Sequence, residues 1–221
     1  MDIYEALYTT RAMRRMKPDP IPLDVQQRML DAAIRAPSGG NMQGWRFMLV
    51  DDPAIRKQLA PLYLDSIDTL FGTHYKAGIE KAEASPEEPA SRDLLKMVRS
   101  ARHLAEHFAD VPLLLFGFIG SGDRSGGSIF PAIWSAMLAA RAEGVGSALT
   151  SVLGMFKEKE MNRILGVPGA GGWSCACTVA FGYPTGRWGI APRRPVHEVS
   201  CRNGWDASVG FEIPEPLWSP S

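Results

Sequence analysis

The sequence predicts a sheet covered by helices on both sides, an α+β or α/β architecture. Three observations point to it. Segments with the 3–4 residue apolar spacing of helices outnumber the segments that read as strands. Trp45–Val50 and Val111–Ile119 are short, strongly apolar runs of strand length, suited to a buried sheet. Helices and strands are interleaved along the chain, with no internal repeat or heptad, so one mixed core is expected rather than a bundle or a solenoid.

Asp2–Thr9 has Ile3, Ala6 and Leu7 on one helical face. A basic stretch with Arg11, Arg14, Arg15 and Lys17 follows, and Pro18, Pro20 and Pro22 keep the chain extended until a helix can start. Leu23–Arg35 is that helix, with Val25, Met29 and Ala32/Ala33 inward, stopped by Pro37-Ser-Gly-Gly40. After the strand Trp45–Val50, Asp52-Pro53 is a helix start, a capping carboxylate followed by proline in the first turn. From Leu64 to Arg92 the pattern weakens and polar residues accumulate, which reads as a mobile excursion or lid. Leu94–Phe108 is helical again. Val111–Ile119 is a strand that tolerates Pro112 near its start, and the Gly-rich loop Gly120–Gly127 follows. Ser128–Glu143 is a long apolar helix ended by Gly144-Val-Gly146. Ser147–Val152 reads as a strand, Lys157–Leu165 as a short helix, and Ser174–Gly182 as a strand with Cys175, Cys177 and Val179 on one face. The tail beyond Pro184 has no clear periodicity. A single domain over residues 1–221 is expected, with an extended tail from about 185.

Composition excludes several function classes. With 221 residues, 45% of them hydrophobic, the chain can bury a substantial core. A formal net charge of zero gives no broad footprint for nucleic acid, so any anion site must be local. Three cysteines at irregular spacing are not a disulfide framework. Without a signal peptide at the N-terminus or an apolar run long enough to span a bilayer, the expected location is the cytoplasm, with no membrane partner.

Four constellations carry candidate chemistry. In Arg11-Ala-Met-Arg-Arg15, Arg11 and Arg15 are placed to flank a phosphate, because guanidinium forks suit phosphate oxygens; the plain alternative is a solvated basic loop. In Ala36-Pro-Ser-Gly-Gly-Asn-Met-Gln-Gly-Trp45, the polar side chains of Ser38, Asn41 and Gln43 and the bare backbone of Gly39 and Gly40 suit a flat polar ring or a ribityl chain; the alternative is a helix stop and turn. Gly120-Ser-Gly-Asp-Arg-Ser-Gly126 approaches a dinucleotide fingerprint but has one residue too many between its second and third glycines. His103-Leu-Ala-Glu-His107 matches an inverted zinc-protease pattern, with two histidines as ligands and Glu106 as base; it singles out no third ligand, and a partly exposed helical face is the better explanation of so short a match.

Taken in order, these segments resemble the FMN-dependent nitroreductase family. The likeness runs through Thr10-Arg-Ala-Met-Arg-Arg-Met-Lys-Pro-Asp-Pro-Ile-Pro22, Ala36–Phe47, Gly127–Ile133, Leu138–Ser147, Phe181-Gly-Tyr-Pro184 and Arg193-Arg-Pro195. It implies an α+β fold whose central sheet is mixed and largely antiparallel, in a homodimer that exchanges terminal segments and holds FMN at the interface. It further implies that Arg11, Ala12, Met13 and Arg15 meet the phosphate and ribityl end, joined by Arg193 and Arg194. Pro37, Ser38, Gly39, Asn41 and Gln43 would line the flavin from the partner chain, and Thr150, Ser151, Val152, Leu153 and Gly154 would pass its ring. The implied activity is ping-pong hydride transfer from NADH or NADPH to a nitroaromatic, quinone or similar small acceptor, with no catalytic side chain of its own and no metal. A non-catalytic flavin-binding protein on the same fold is the alternative. The chain departs from the family pattern at Met13, where serine is frequent, at Gly44, where proline is usual, and at Ala191-Pro192, where a lysine is common.

Overall fold

The computed structural model describes residues 1–122 and 126–219. Within the loop after the second strand, residues 123–125 therefore lie outside the described residues, and so does the middle of the imperfect dinucleotide motif.

Eight helices of the α type and four strands are found among the described residues: α1 (Ile3–Thr9), α2 (Leu23–Ala33), β1 (Trp45–Val50), α3 (Pro53–Thr73), α4 (Lys76–Ala84), α5 (Pro89–Glu106), β2 (Leu113–Ile119), α6 (Ile129–Ala142), β3 (Gly146–Thr150), α7 (Val152–Phe156), α8 (Glu158–Leu165) and β4 (Ser174–Gly182). The strands form one sheet in the order β1-β2-β4-β3, and each neighbouring pair is antiparallel. The parallel element is an isolated bridge between Ala12 and Ser147, which lays the N-terminal segment along the outer edge of β3. The nitroreductase-like α+β expectation thus holds for the sheet. α1 and α3 start on the capping carboxylates of Asp2 and Asp52, which accept from the N–H groups of Glu5 and Ala54.

Two cores lie on the two faces of the sheet. On one face α2 and α6 pack together, with Met29, Ile133 and Ala140 buried against Leu113, Leu115 and Val179. On the other, α3, α5, α7 and α8 cover Leu114, Phe116 and Phe118 with Leu59, Tyr63, Leu104 and Phe108. Burying each such large side chain contributes about 1.5–3 kcal/mol, which is why the central β2 is apolar on both faces.

Three local expectations are corrected. The stretch Leu64–Arg92, read as a mobile excursion or lid because its helical pattern weakens, has regular helical structure over most of its length. Tyr63, Ile67 and Phe71 recur at helical spacing toward the core, while Asp65, Asp68, Lys81 and Glu83 face solvent and dilute the pattern. The strand expected to run to Val152 ends at Thr150, and α7 starts there. Cys175 and Cys177 lie on opposite faces, because β4 has an extra residue, Ala176, between the partners of Gly117 and Phe118. A bulge of this kind shifts the side-chain alternation by one.

Candidate functional site

The cationic segment is held by residues between its cations. Met13 donates its N–H to the Ser147 carbonyl at 2.8 Å and buries its side chain against Gly146. Lys17 donates to the Tyr183 carbonyl at 2.8 Å, and Thr185 donates to the Arg15 carbonyl at 3.0 Å. Thus anchored, the three arginines diverge. Arg11 is exposed and donates from Nη2 to the Arg187 carbonyl at 2.9 Å. Arg15 is exposed too, its Nη1 lying 3.4 Å from His103 Nδ1. Arg14 turns inward and lines a cavity of about 150 Å³ with Tyr63, Phe71, Tyr75, Ala148 and Thr150. Burial holds the Arg14 pKa below its ordinary value, opposed by the Tyr63 oxygen. Burial likewise raises the Tyr63 phenol, against the opposite pull of the Thr150 hydroxyl and the Arg14 charge. Tyr63 is fixed by stacking on Phe108, with ring centres 4.1 Å apart. Arg11 and Arg15 were marked by the sequence; Arg14, which shares a cavity with Thr150, was not singled out.

Thr150 closes β3 and begins the turn into α7, where its Oγ1 accepts from the Val152 N–H at 3.4 Å. Val152 and Leu153 bury their side chains in the core, with Val152 also on the wall of the cavity that holds Arg14, while Ser151 is half-buried. Gly154 packs against the Cys175 carbonyl so closely that any side chain there would overlap it. Its glycine identity therefore has a packing cause of its own.

The loop from Pro37 to Gln43 has backbone in the left-handed region at Gly40 (φ 57°), Asn41 (φ 53°) and Gln43 (φ 49°). For the two non-glycine residues this conformation costs about 1–3 kcal/mol each and persists where surrounding contacts impose it. The contacts are present: Gln43 donates its N–H to Ser38 Oγ at 2.8 Å and its Nε2 to Asn41 Oδ1 at 3.0 Å. Gly39 donates its N–H toward Ser128 Oγ at 3.4 Å, joining the loop to the start of α6. Pro37, Gly39, Asn41 and Gln43 are exposed, a polar ring-sized surface held rigid.

In the tail, Arg193 and Arg194 are exposed and line a second cavity of about 760 Å³ with Tyr8, Thr10, Trp134 and Pro214. The Ala191 N–H donates to the Tyr8 carbonyl at 3.0 Å, which ties this part of the tail to α1. No ion pair to a carboxylate is found for Arg11, Arg14, Arg15, Arg193 or Arg194 among the described residues, as is also the case for Arg46, Arg56, Arg92, Arg99, Arg163, Arg187 and Arg202 elsewhere on the chain. Arg14 lies on one cavity and Arg193 and Arg194 on the other, while Arg11 and Arg15 are exposed on the segment beside β3.

The two halves are not neighbours in one chain. The polar loop leads into β1 at one edge of the sheet, and the cationic segment lies on β3 at the other edge. Three strand spacings separate the edges, roughly 14 Å at about 4.8 Å each.

The zinc reading finds no support in the geometry. His103 and His107 have ring centres 4.2 Å apart, and His103 Nδ1 lies 3.4 Å from the Arg15 guanidinium, a cation beside the pair. No group of three His, Cys, Asp or Glu able to hold a metal occurs among the described residues.

Residues 7–183 match the model of the nitroreductase family. The chain belongs to the nitroreductase family. An NADH dehydrogenase of Thermus thermophilus is 27% identical over 209 residues, covering 90% of this chain and 95% of the relative. A 5,6-dimethylbenzimidazole synthase of Rhodobacter capsulatus is 30% identical over 189 residues, covering 81% and 82%. The FMN-dependent nitroreductase NfnB from Mycobacterium smegmatis, solved in complex with NADPH, has the same fold, with a TM-score of 0.65 at 20% identity over 90% of this chain and 97% of that one. No helix among the described residues of this nitroreductase-family chain is long and apolar enough to cross a membrane.

Proposed function

We propose that the chain is an FMN-dependent NAD(P)H oxidoreductase that works as a homodimer on a small acceptor such as a nitroaromatic or quinone. The observation that carries the reading is the placement of Arg11, Arg14 and Arg15 on the segment along β3 and of Arg193 and Arg194 in the tail tied to α1, with a hydrogen-bonded polar loop on the far edge. These residues fit a phosphorylated flavin. Arg11, Arg15, Arg193 and Arg194 offer charge-assisted donors to a phosphate, which roughly double the strength of a neutral hydrogen bond. Arg14 and Thr150 offer donors beside the apolar wall of Phe71 and Tyr75. Because the sheet separates the two halves, Pro37–Gln43 reaches the arginines only from a second copy of the chain, which is the argument for the dimer.

FMN held by these residues would supply the redox chemistry, hydride transfer from NADH or NADPH and reduction of the acceptor. The protein binds and orients. Arg14 places a fixed positive charge where negative charge develops, in a cavity that burial keeps at low dielectric. Phe71 and Tyr75, from α3 and the turn into α4, wall the side on which an acceptor is chosen. No side chain is required as acid or base.

The test is optical. Purified protein should be yellow, anaerobic NADH or NADPH should bleach it, and a quinone should restore the colour. A colourless protein with stoichiometric zinc would overturn the reading. Flavin that stays oxidised with both nicotinamides would leave a binding protein and refute the oxidoreductase. The shared site is tested by mixing Arg14→Met chains with Asn41→Ala chains, which should regain flavin binding that neither has alone.

A further inference from the structure

One buried cation contacts the chain just before both arginine segments, at α1 and at Trp188. Arg141, near the end of α6, has a side chain only 7% exposed. Its Nε donates to Thr9 Oγ1 at 2.9 Å and its Nη2 to Glu5 Oε1 at 3.2 Å, so it grips α1 at two successive turns. The opposite side of the same guanidinium lies over the Trp188 ring, 4.0 Å from its centre. Thr9 stands two residues before Arg11, and Trp188 directly follows Arg187, whose carbonyl accepts from Arg11. Three residues beyond Trp188, Ala191 pairs with the Tyr8 carbonyl, and Arg193 follows.

We infer that Arg141 is a positioning residue that sets the spacing between the Arg11 segment and the Arg193-Arg194 segment, and thereby the site's preference for a phosphorylated flavin over an unphosphorylated one. α1 and the tail each lack a place in the sheet, so their mutual position is fixed by few contacts. Arg141 joins both to a core helix through hydrogen bonds on one side and ring stacking on the other. A guanidinium suits the task because its edge donates in two directions while its face stacks. Lysine, a point charge without a planar face, cannot do both.

The inference rests on the flavin reading and is tested by comparing two ligands on the full-length protein stripped of flavin. FMN and riboflavin are titrated by fluorescence into wild type, Arg141→Met, Arg141→Lys and Trp188→Leu. Wild type should bind FMN far more tightly than riboflavin. Arg141→Met should weaken FMN at least tenfold and change riboflavin less than twofold, with Lys recovering only part of the loss. Trp188→Leu removes one contact and leaves the α1 grip, so it keeps the test open if Arg141→Met does not fold; it should shift FMN in the same direction. Equal weakening of both flavins in these variants would mean general loosening and overturn the inference, as would an unchanged FMN preference. A wild type that binds riboflavin as well as FMN, or binds neither, would overturn the phosphate assignment itself, a different outcome from loss in the variants alone.

Discussion

Gly154 in α7 lies directly against the backbone carbonyl of Cys175 in β4, with no room for a methyl group between them. In a helix, Gly→Ala ordinarily stabilises by about 0.5–1 kcal/mol. Here the sign should reverse. A carbonyl held in a sheet cannot move aside as a flexible side chain would, so Gly154→Ala should destabilise by about 1–3 kcal/mol. Denaturant unfolding measures this directly, and a stabilised variant would refute the contact.

Arg14 and Arg15 are neighbours in sequence with different surroundings, which makes them separable. Removing a charge-assisted hydrogen bond costs about 1.5–3 kcal/mol, or about a ten- to hundredfold loss of affinity. Arg14→Met should lose FMN on this scale with little loss of stability, since no carboxylate is left unpaired. Arg15→Ala should also weaken FMN retention. Equilibrium dialysis decides each case, and unchanged occupancy in a folded variant removes that residue from the site.

The pKa of His103 is lowered by burial first, then by the charges of Arg15 and His107, with Glu106 opposing. A histidine depressed in the native state binds fewer protons there than in the unfolded chain. Its effect is absent at neutral pH, and stability falls as pH drops from about 6.5, the unfolded value, through the lower native one. His103→Gln should flatten that part of the profile. Glu143, held low mainly by its hydrogen bond from Arg28, acts at more acid pH, where its contribution is lost as pH falls through its depressed native value. Thermal unfolding between about pH 7.5 and pH 5 in both proteins tests the assignment to His103; identical slopes would reject it.

Burial pushes the Cys175 and Cys177 thiols up to about 12, whereas Cys201 is exposed. The thiolate is the reactive species, so at about pH 8 a thiol reagent should label Cys201 alone in the native protein and all three cysteines after unfolding. Rapid native labelling of a second cysteine would contradict the packing of β4.

Much of this was legible before the fold was known. Trp45–Val50 and Ser174–Gly182 are recognisable strands because flanking glycine and aspartate mark their ends, and Asp52-Pro53 announces α3 by capping chemistry. The second half of α3 was hidden because Asp65, Ser66, Asp68 and Thr69 break up its apolar pattern and Pro61 comes just before it. α7 was hidden because five residues are too few to show a period. The face reversal of Cys175 depends on a bulge set by pairing with β2, which no local pattern encodes. At the candidate site, residue types pointed to an anion, but which arginine turns inward depends on the anchors Met13 and Lys17 and on the hole left beside Tyr63. Those are properties of packing, not of spacing.

The segment that carries the arginines also lies along β3, giving that strand a neighbour on its outer side at Ala12 and Met13. A strand edge without such cover offers unpaired N–H and C=O groups to any other chain. Proteolytic loss of the first sixteen residues would therefore do more than empty a binding site. It would turn β3 into an adhesive margin, so the nicked protein should self-associate, and ligand that holds the segment in place should also keep the protein from clumping.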